Sequence, residues 1–327
     1  MFELVGFDNE IDNLINKFKS RNLHSSIILY GPKGVGKKLF INKFIEKILY
    51  HIFDEKKYLH NLNLYKNNTH PSIKIIEKLI DQKTKKLKSF ITIDQIRNLK
   101  KFVNESSVIE GLSKFIIIDS VDDLNLNSAN SLLKSLEEPK NNTYIFLISH
   151  QLSSLLPTLR SRCLKIKLNK HDYNNFEKIL KKQIDNISNE EIKFYYDLTY
   201  GSPGNAISLY DDNFFNLIEI TINSIYSKKI DTNCIELLDL ISKLDNEKFK
   251  SYLFILKSIL ITINKLKISD LQSNNYLYQY YNLLKNLSNS LSKQNIIDRF
   301  DFLTNNENDL FTYNLDKKLF MLEFLTT

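Results

Sequence analysis

Glycine and proline are scarce and confined. Seven glycines and five prolines serve 327 residues, and none of them lies beyond Gly204. Tryptophan is absent, and alanine occurs only at Ala129 and Ala206. Two cysteines, Cys163 and Cys234, exclude a disulfide framework and fall short of the four ligands of a structural zinc site. No apolar run reaches the roughly 20 residues that span a bilayer, and Met1-Phe2-Glu3-Leu4 opens no charged-then-apolar signal segment. The expected location is the cytoplasm, with no membrane partner. Arginine is rare as well. Only Arg21, Arg97, Arg160, Arg162 and Arg299 stand among 45 basic residues, and two of them are separated by a single residue. In such a background each Arg, Gly or Pro marks a place where chemistry or backbone geometry asks for it.

What is present suits a multidomain globular chain. Hydrophobic residues at 43% and charged residues at 25% exclude a disordered, collagen-like or fibrous protein. The net charge of +7 admits a polyanionic partner without requiring one. With no breaker after Gly204, and with Leu237, Leu238, Leu240, Ile241 and Leu244 at helical spacing, the C-terminal part is predicted to be wholly helical. Before it, apolar runs of strand length at Ser26–Tyr30, Ile73–Ile76, Phe115–Asp119, Tyr144–Ser149 and Leu164–Leu168 alternate with helical patterns. That alternation predicts a parallel sheet covered by helices on both faces. Residues between about 169 and 210 form a small helical piece that ends in Gly201-Ser202-Pro203-Gly204. The densest basic run, Lys83–Lys88, reads as a solvated hairpin tip.

Chemistry concentrates after the first strand. Gly31-Pro32-Lys33-Gly34-Val35-Gly36-Lys37-Lys38 leads directly into a helical pattern. Glycines there let backbone N–H groups wrap a phosphate, the helix N-terminus adds its dipole, and Lys37 reaches the outer phosphates. Seven of the eight positions obey the phosphate-loop pattern. The eighth does not: Lys38 stands where a Ser or Thr hydroxyl should hold magnesium, and an ammonium cannot ligate a cation. The third strand ends in Asp119, the second carboxylate-bearing half of such a site. Ser120 follows where a water-polarising carboxylate is needed, and a hydroxyl is a poor base at neutral pH. Asp122 and Asp123 read as turn and helix-capping residues, with substitution for that base as the alternative.

Further motifs follow in order: Val5-Gly6, His70-Pro71, Ile91 to Arg97, Asn127-Ser128-Ala129-Asn130-Ser131-Leu132-Leu133-Lys134-Ser135-Leu136-Glu137-Glu138-Pro139, and Leu155 to Cys163. Together with the phosphate loop they resemble the bacterial clamp-loader AAA+ family over residues 1 to about 210. The resemblance implies an AAA+ phosphate-loop domain over 1–168, a helical lid over 169–210 and an all-helical collar over 211–327. It also implies a ring of subunits of the tau/gamma, delta and delta-prime kinds that opens a sliding clamp and places it on primed DNA, with ATP at subunit junctions. Within the triplet Ser161-Arg162-Cys163, the resemblance gives Arg162 the part of an arginine finger in a neighbour's site. Arg160 is the alternative finger, better suited to a salt bridge at the sheet edge. Ser149 matches a sensor of nucleotide state. Asn205 stands where active members carry a second, arginine sensor.

Altered Lys38, Ser120 and Asn205 favour a subunit that hydrolyses little or no ATP over a self-sufficient motor subunit or helicase loader. Its own nucleotide site, formed by Gly31, Gly34, Val35, Gly36, Lys37, Lys38 and Asp119, is expected to hold ATP or ADP weakly. Some relatives of this family carry a four-cysteine zinc module after the phosphate-loop helix. Here the segment from His51 through His60 to His70 has no cysteine, so no metal is expected. A third reading places duplex backbone against Arg97, Lys100 and Lys101 on the helix that opens at Thr92.

Overall fold

The computed structural model describes residues 3–80, 88, 90–104, 109, 112–137, 142–211, 214–227, 231–269 and 277–326. The basic run at 83–87, and Gly111, Glu138 and Pro139, lie outside the described residues. The chain divides into two compact units, Met1–Ile179 with Ser202–Gly204, and Leu180–Gly201 with Asn205–Thr327.

The first unit is built on a five-stranded parallel sheet. Its elements run α1 (Asp8–Lys19), β1 (Ser26–Tyr30), α2 (Lys37–Ile52), α3 (Glu55–Lys66), β2 (Ile73–Ile76), α4 (Ile93–Asn104), β3 (Lys114–Asp119), α5 (Leu126–Glu137), β4 (Thr143–Ser149), α6 (Pro157–Ser161) and β5 (Leu164–Lys167). The strands lie in the order β2-β3-β4-β1-β5. All five expected strands are present within a residue of their sequence bounds, and the α/β fold with a helical C-terminal part is the one expected. Apolar residues of the central strands alternate between two cores, as the pleat requires. Ile27, Leu29, Phe115, Ile117, Phe146 and Ile148 join Phe40, Phe44 and Ile48 of α2 on one face. Ile28, Ile116, Ile118, Ile145 and Leu147 join Ala129, Leu132 and Leu136 of α5 on the other. Parallel pairing aligns Tyr30 with Ser149 and Asp119 with Ile148, so one sheet edge carries the ends of β1, β3 and β4 together. Ligands of open α/β sheets bind at this carboxyl edge.

The second unit is helical among the described residues. It includes α8 (Asn189–Thr199), α10 (Phe214–Ser227), α11 (Thr232–Lys243), α12 (Asn246–Leu266), α13 (Tyr281–Ser290), α14 (Lys293–Thr312) and α15 (Lys317–Thr326); α7 (Tyr173–Gln183) and α9 (Pro203–Asp211) begin in the first unit. Four of these helices are started by polar caps. Asp231, Asp245 and Ser292 accept backbone N–H bonds at the heads of α11, α12 and α14, and Ser188 with Glu191 forms a reciprocal capping box. The apolar stripe of α12, with Phe249, Leu253, Leu256, Leu260 and Ile263 buried, packs against α13 and α14. No helix among the described residues is long and apolar enough to cross a membrane.

Candidate nucleotide site and arginine-bearing segment

The loop between β1 and α2 takes the shape that its glycines permit. Gly31 has φ 151, and a Cβ there would lie 2.0 Å from the Leu168 carbonyl oxygen, so only glycine lets the chain leave β1 beside β5. The turn at 202–204 is clipped onto the same loop: Ser202 Oγ donates to the Lys33 carbonyl at 2.5 Å and the Gly204 N–H to the Gly34 carbonyl at 2.9 Å. A Cβ at Gly204 would stand 2.9 Å from Gly34 Cα, which accounts for the last glycine of the sequence. His171, buried in T-shaped packing with Phe7, meets the Val35 carbonyl at 3.0 Å through Nε2.

Both lysines at the head of α2 are engaged within the chain. Lys37 is buried, and its Nζ donates to the Gly31 and Pro32 carbonyls, each at 2.7 Å. Burial lowers its pKa to about 8, against the opposing pull of Asp122 and Asp119. Lys38 Nζ lies 3.0 Å from Asp119 Oδ2 and 3.0 Å from Glu77 Oε2. Burial opposes its charge, but hydrogen bonds to Asp119 and Glu77 outweigh that and raise its pKa. The residues present do not fit magnesium: the hydroxyl ligand is missing, and an ammonium already sits on the strand-end carboxylate. Glu77 was not foreseen from the sequence. Its position directly after β2, on the edge beside Asp119, was the available signal.

Asp122 is neither a helix cap nor a free base. Its carboxylate accepts from the backbone N–H of His150 at 2.7 Å and of Gln151 at 3.2 Å, and from the hydroxyls of Ser120, Ser149 and Ser154 at 3.0, 3.0 and 3.2 Å. Burial works against its ionisation, but these donors hold its pKa below the ordinary carboxylate value. Ser149 is thereby tied to the end of β3, and the Ser120 hydroxyl is consumed. Asp123 pairs instead with Lys78 at 3.1 Å.

Arg162 ends α6. Its Nη2 forms an ion pair with Glu137 Oε1 at 2.6 Å, and Nη1 donates to the Thr158 carbonyl at 2.8 Å. This ion pair joins Arg162 to α5, and no salt bridge of Arg160 to the sheet edge is seen among the described residues. Arg160 has a buried Nε without a hydrogen-bond partner among the described residues. Cys163 is buried, and desolvation pushes its thiol up to about 12. On α4, Ile96 and Leu99 turn to the core while Arg97 and Lys101 stay exposed, with Arg97 loosely paired to Asp94 at 3.3 Å. The side chain of Lys100 lies outside the described residues. His70 is structural: its ring meets Asn61 Oδ1 and the Ser72 N–H, and burial lowers its pKa to about 4. No group of three or more His, Cys, Asp or Glu among the described residues is placed to hold a metal ion.

A family model described as DNA polymerase III, delta subunit, matches residues 7–172. DNA polymerase III subunit delta' of Pseudomonas aeruginosa is 35% identical over 144 residues, 42% of this chain and 41% of that protein. The chain therefore aligns with less than half the length of that relative. DNA polymerase III subunit gamma of Buchnera aphidicola is 27% identical over 325 residues, 94% of this chain and 82% of that one. Among solved structures, a DNA polymerase III gamma subunit-related protein of Thermotoga maritima covers 96% of this chain with 17% identity and a TM-score of 0.44, the match spanning 97% of that chain.

Proposed function

The chain belongs to the DNA polymerase III delta-prime family of clamp-loader subunits, and from that premise we propose that it is a ring member that completes a neighbour's ATP site while hydrolysing little or no ATP itself. Its partners in this reading are the tau/gamma and delta subunits, the sliding clamp and primed DNA, and its setting is the cytoplasm. Residues 1–168 form the AAA+ domain, 169–210 the lid and 211–327 the collar through which the ring is held.

The observation that carries the reading is the ammonium of Lys38, 3.0 Å from Asp119. Phosphoryl transfer needs a metal bridging the outer phosphates and a positioned group to orient the nucleophile. Here the metal's carboxylate is already paired, and the Ser120 hydroxyl is bound to Asp122. The loop of Gly31, Gly34, Val35, Gly36 and Lys37 still offers a cradle to phosphate, so ATP or ADP is held weakly and without magnesium. Ser149, tied to Asp122, reads little beyond that. Arg162 serves in trans, where a guanidinium opposite the transferred phosphoryl group stabilises the charge that spreads over it. Arg97, Lys100 and Lys101 on α4 supply a modest cationic contact to the DNA backbone inside the ring.

Co-purification of the native complex with mass spectrometry tests the assembly, and deletion of 211–327 should abolish recovery of the ring. DNA-stimulated ATP turnover by the isolated chain, abolished by Lys37→Ala, would return it to the motor class.

A further inference from the structure

Glu137 lies in α5, in the span Leu126–Glu137. Its partner is Arg162, whose backbone closes α6 through an N–H bond to the Leu159 carbonyl. Leu136 beside Glu137 and Leu159 before Arg162 are both buried in one core cluster. Core packing thus fixes the roots of both side chains, while their tips stay partly exposed, with side-chain accessibilities of 34% for Arg162 and 45% for Glu137. A pair this exposed contributes little to stability; what it contributes is geometry. The ion pair at 2.6 Å and the bond to the Thr158 carbonyl at 2.8 Å remove the rotational freedom that a long side chain otherwise has. No hydrogen bond from the guanidinium Nε is made among the described residues, so part of the donor fork stays available.

We propose that Glu137 is the positioning residue of Arg162: its carboxylate holds the guanidinium by one edge so that the remaining donors meet the phosphate of a nucleotide bound by the adjoining subunit. The inference rests on the reading of Arg162 given above. Holding a catalytic group in its working geometry before the reaction is worth a large factor in rate, and a misplacement of about 1 Å costs up to roughly 100-fold. Glu137 touches neither nucleotide nor reacting atoms, and its effect passes wholly through Arg162.

The test is a cycle in the complete clamp loader, with the phosphate-loop lysines of the other ATPase subunits replaced by Ala so that one junction turns over. Complexes carry wild type, Glu137→Gln, Arg162→Ala or both changes, and are compared by kcat, KM and melting temperature. Glu137→Gln should lower kcat roughly tenfold with KM and melting temperature unchanged, and Glu137→Asp should recover part of the loss. The double variant should be no slower than Arg162→Ala, because a positioning residue has nothing left to position. Losses that multiply in the double variant, or a Glu137→Gln complex at or above the wild-type rate, would overturn the inference while leaving the finger intact. A wild-type rate for Arg162→Ala would instead overturn the reading of Arg162 itself.

Discussion

Lys38 and Arg162 are cations at opposite edges of the parallel sheet, Lys38 beyond the carboxyl end of β1 and Arg162 before the amino end of β5, and they are partnered differently. Lys38 faces two carboxylates, Asp119 and Glu77, each at 3.0 Å, so its charge is answered twice within the chain. Among the described residues Arg162 faces one, Glu137, and divides its other bonds between a carbonyl and the Ser161 hydroxyl. An ammonium between two acids closes a metal position. A guanidinium held by one acid keeps donors for something else. Under the function proposed above, the phosphate loop would be the half that serves the chain's own site and is sealed, and the Ser161-Arg162-Cys163 segment the half that serves another site.

The sharpest way to break that contrast is to remove the guanidinium. Arg162→Ala in the assembled complex should lower ATP turnover at the adjoining subunit by up to roughly 1000-fold, with this chain's melting temperature nearly unchanged because the ion pair is exposed. Arg162→Lys should rescue poorly, since a point ammonium lacks the planar fork. Wild-type turnover in both variants would make Arg162 an ordinary surface residue and dissolve the comparison.

Both regions depend on one scaffold, and Phe44 tests it. The ring is fully buried, with centroids 5.3 Å from Phe146 and 6.2 Å from Phe115, which ties α2 to the central strands. Phe44→Ala should destabilise the first unit by about 3–5 kcal/mol, read as a lowered denaturant midpoint. A smaller effect is expected at Asp122, whose carboxylate joins the ends of β3 and β4. Asp122→Asn turns an amide toward donors and should cost about 1–3 kcal/mol at pH 7. Because the folded pKa is depressed, the stabilisation is present above the unfolded value of 3.8 and fades as pH falls through the lower folded value. Wild type and variant should therefore converge in acid. A gap that stays constant from pH 7 to pH 3 would show that the carboxylate's charge is not what holds the two strand ends.

Much of this was legible before any coordinates. Strand alternation and glycine placement gave the sheet, because period-two patterning and φ-permissive residues are local signals. The odd eighth position of the phosphate loop pointed to a metal-poor site. What the sequence could not give were the partners of these cations. Glu77 and Lys38 are 39 residues apart, and Glu137 and Arg162 are 25 apart, so each pair exists only once parallel pairing sets strand ends and helix ends side by side. Asp122 was misread for a related reason: its turn predicts local capping, whereas four of its five donors come from residues 149–154, brought close by the pairing of β3 with β4.

The smallest effect is the most discriminating for the sealed half of the comparison. If the Lys38 ammonium occupies the position a divalent metal would take, magnesium should change the affinity of the wild-type chain for ADP or ATP by less than about twofold, a negligible free-energy difference. Lys38→Thr should reverse this. It restores the hydroxyl ligand and releases Asp119, and the variant should bind nucleotide more tightly with magnesium than with a chelator. Turnover should still be absent, because Ser120 remains where the polarising carboxylate is needed. Calorimetry of both proteins, with and without the metal, separates the outcomes. A magnesium-dependent wild type would mean that Lys38 swings away from Asp119 when nucleotide arrives. The site would then be open, and the two cations would differ only in which nucleotide they serve.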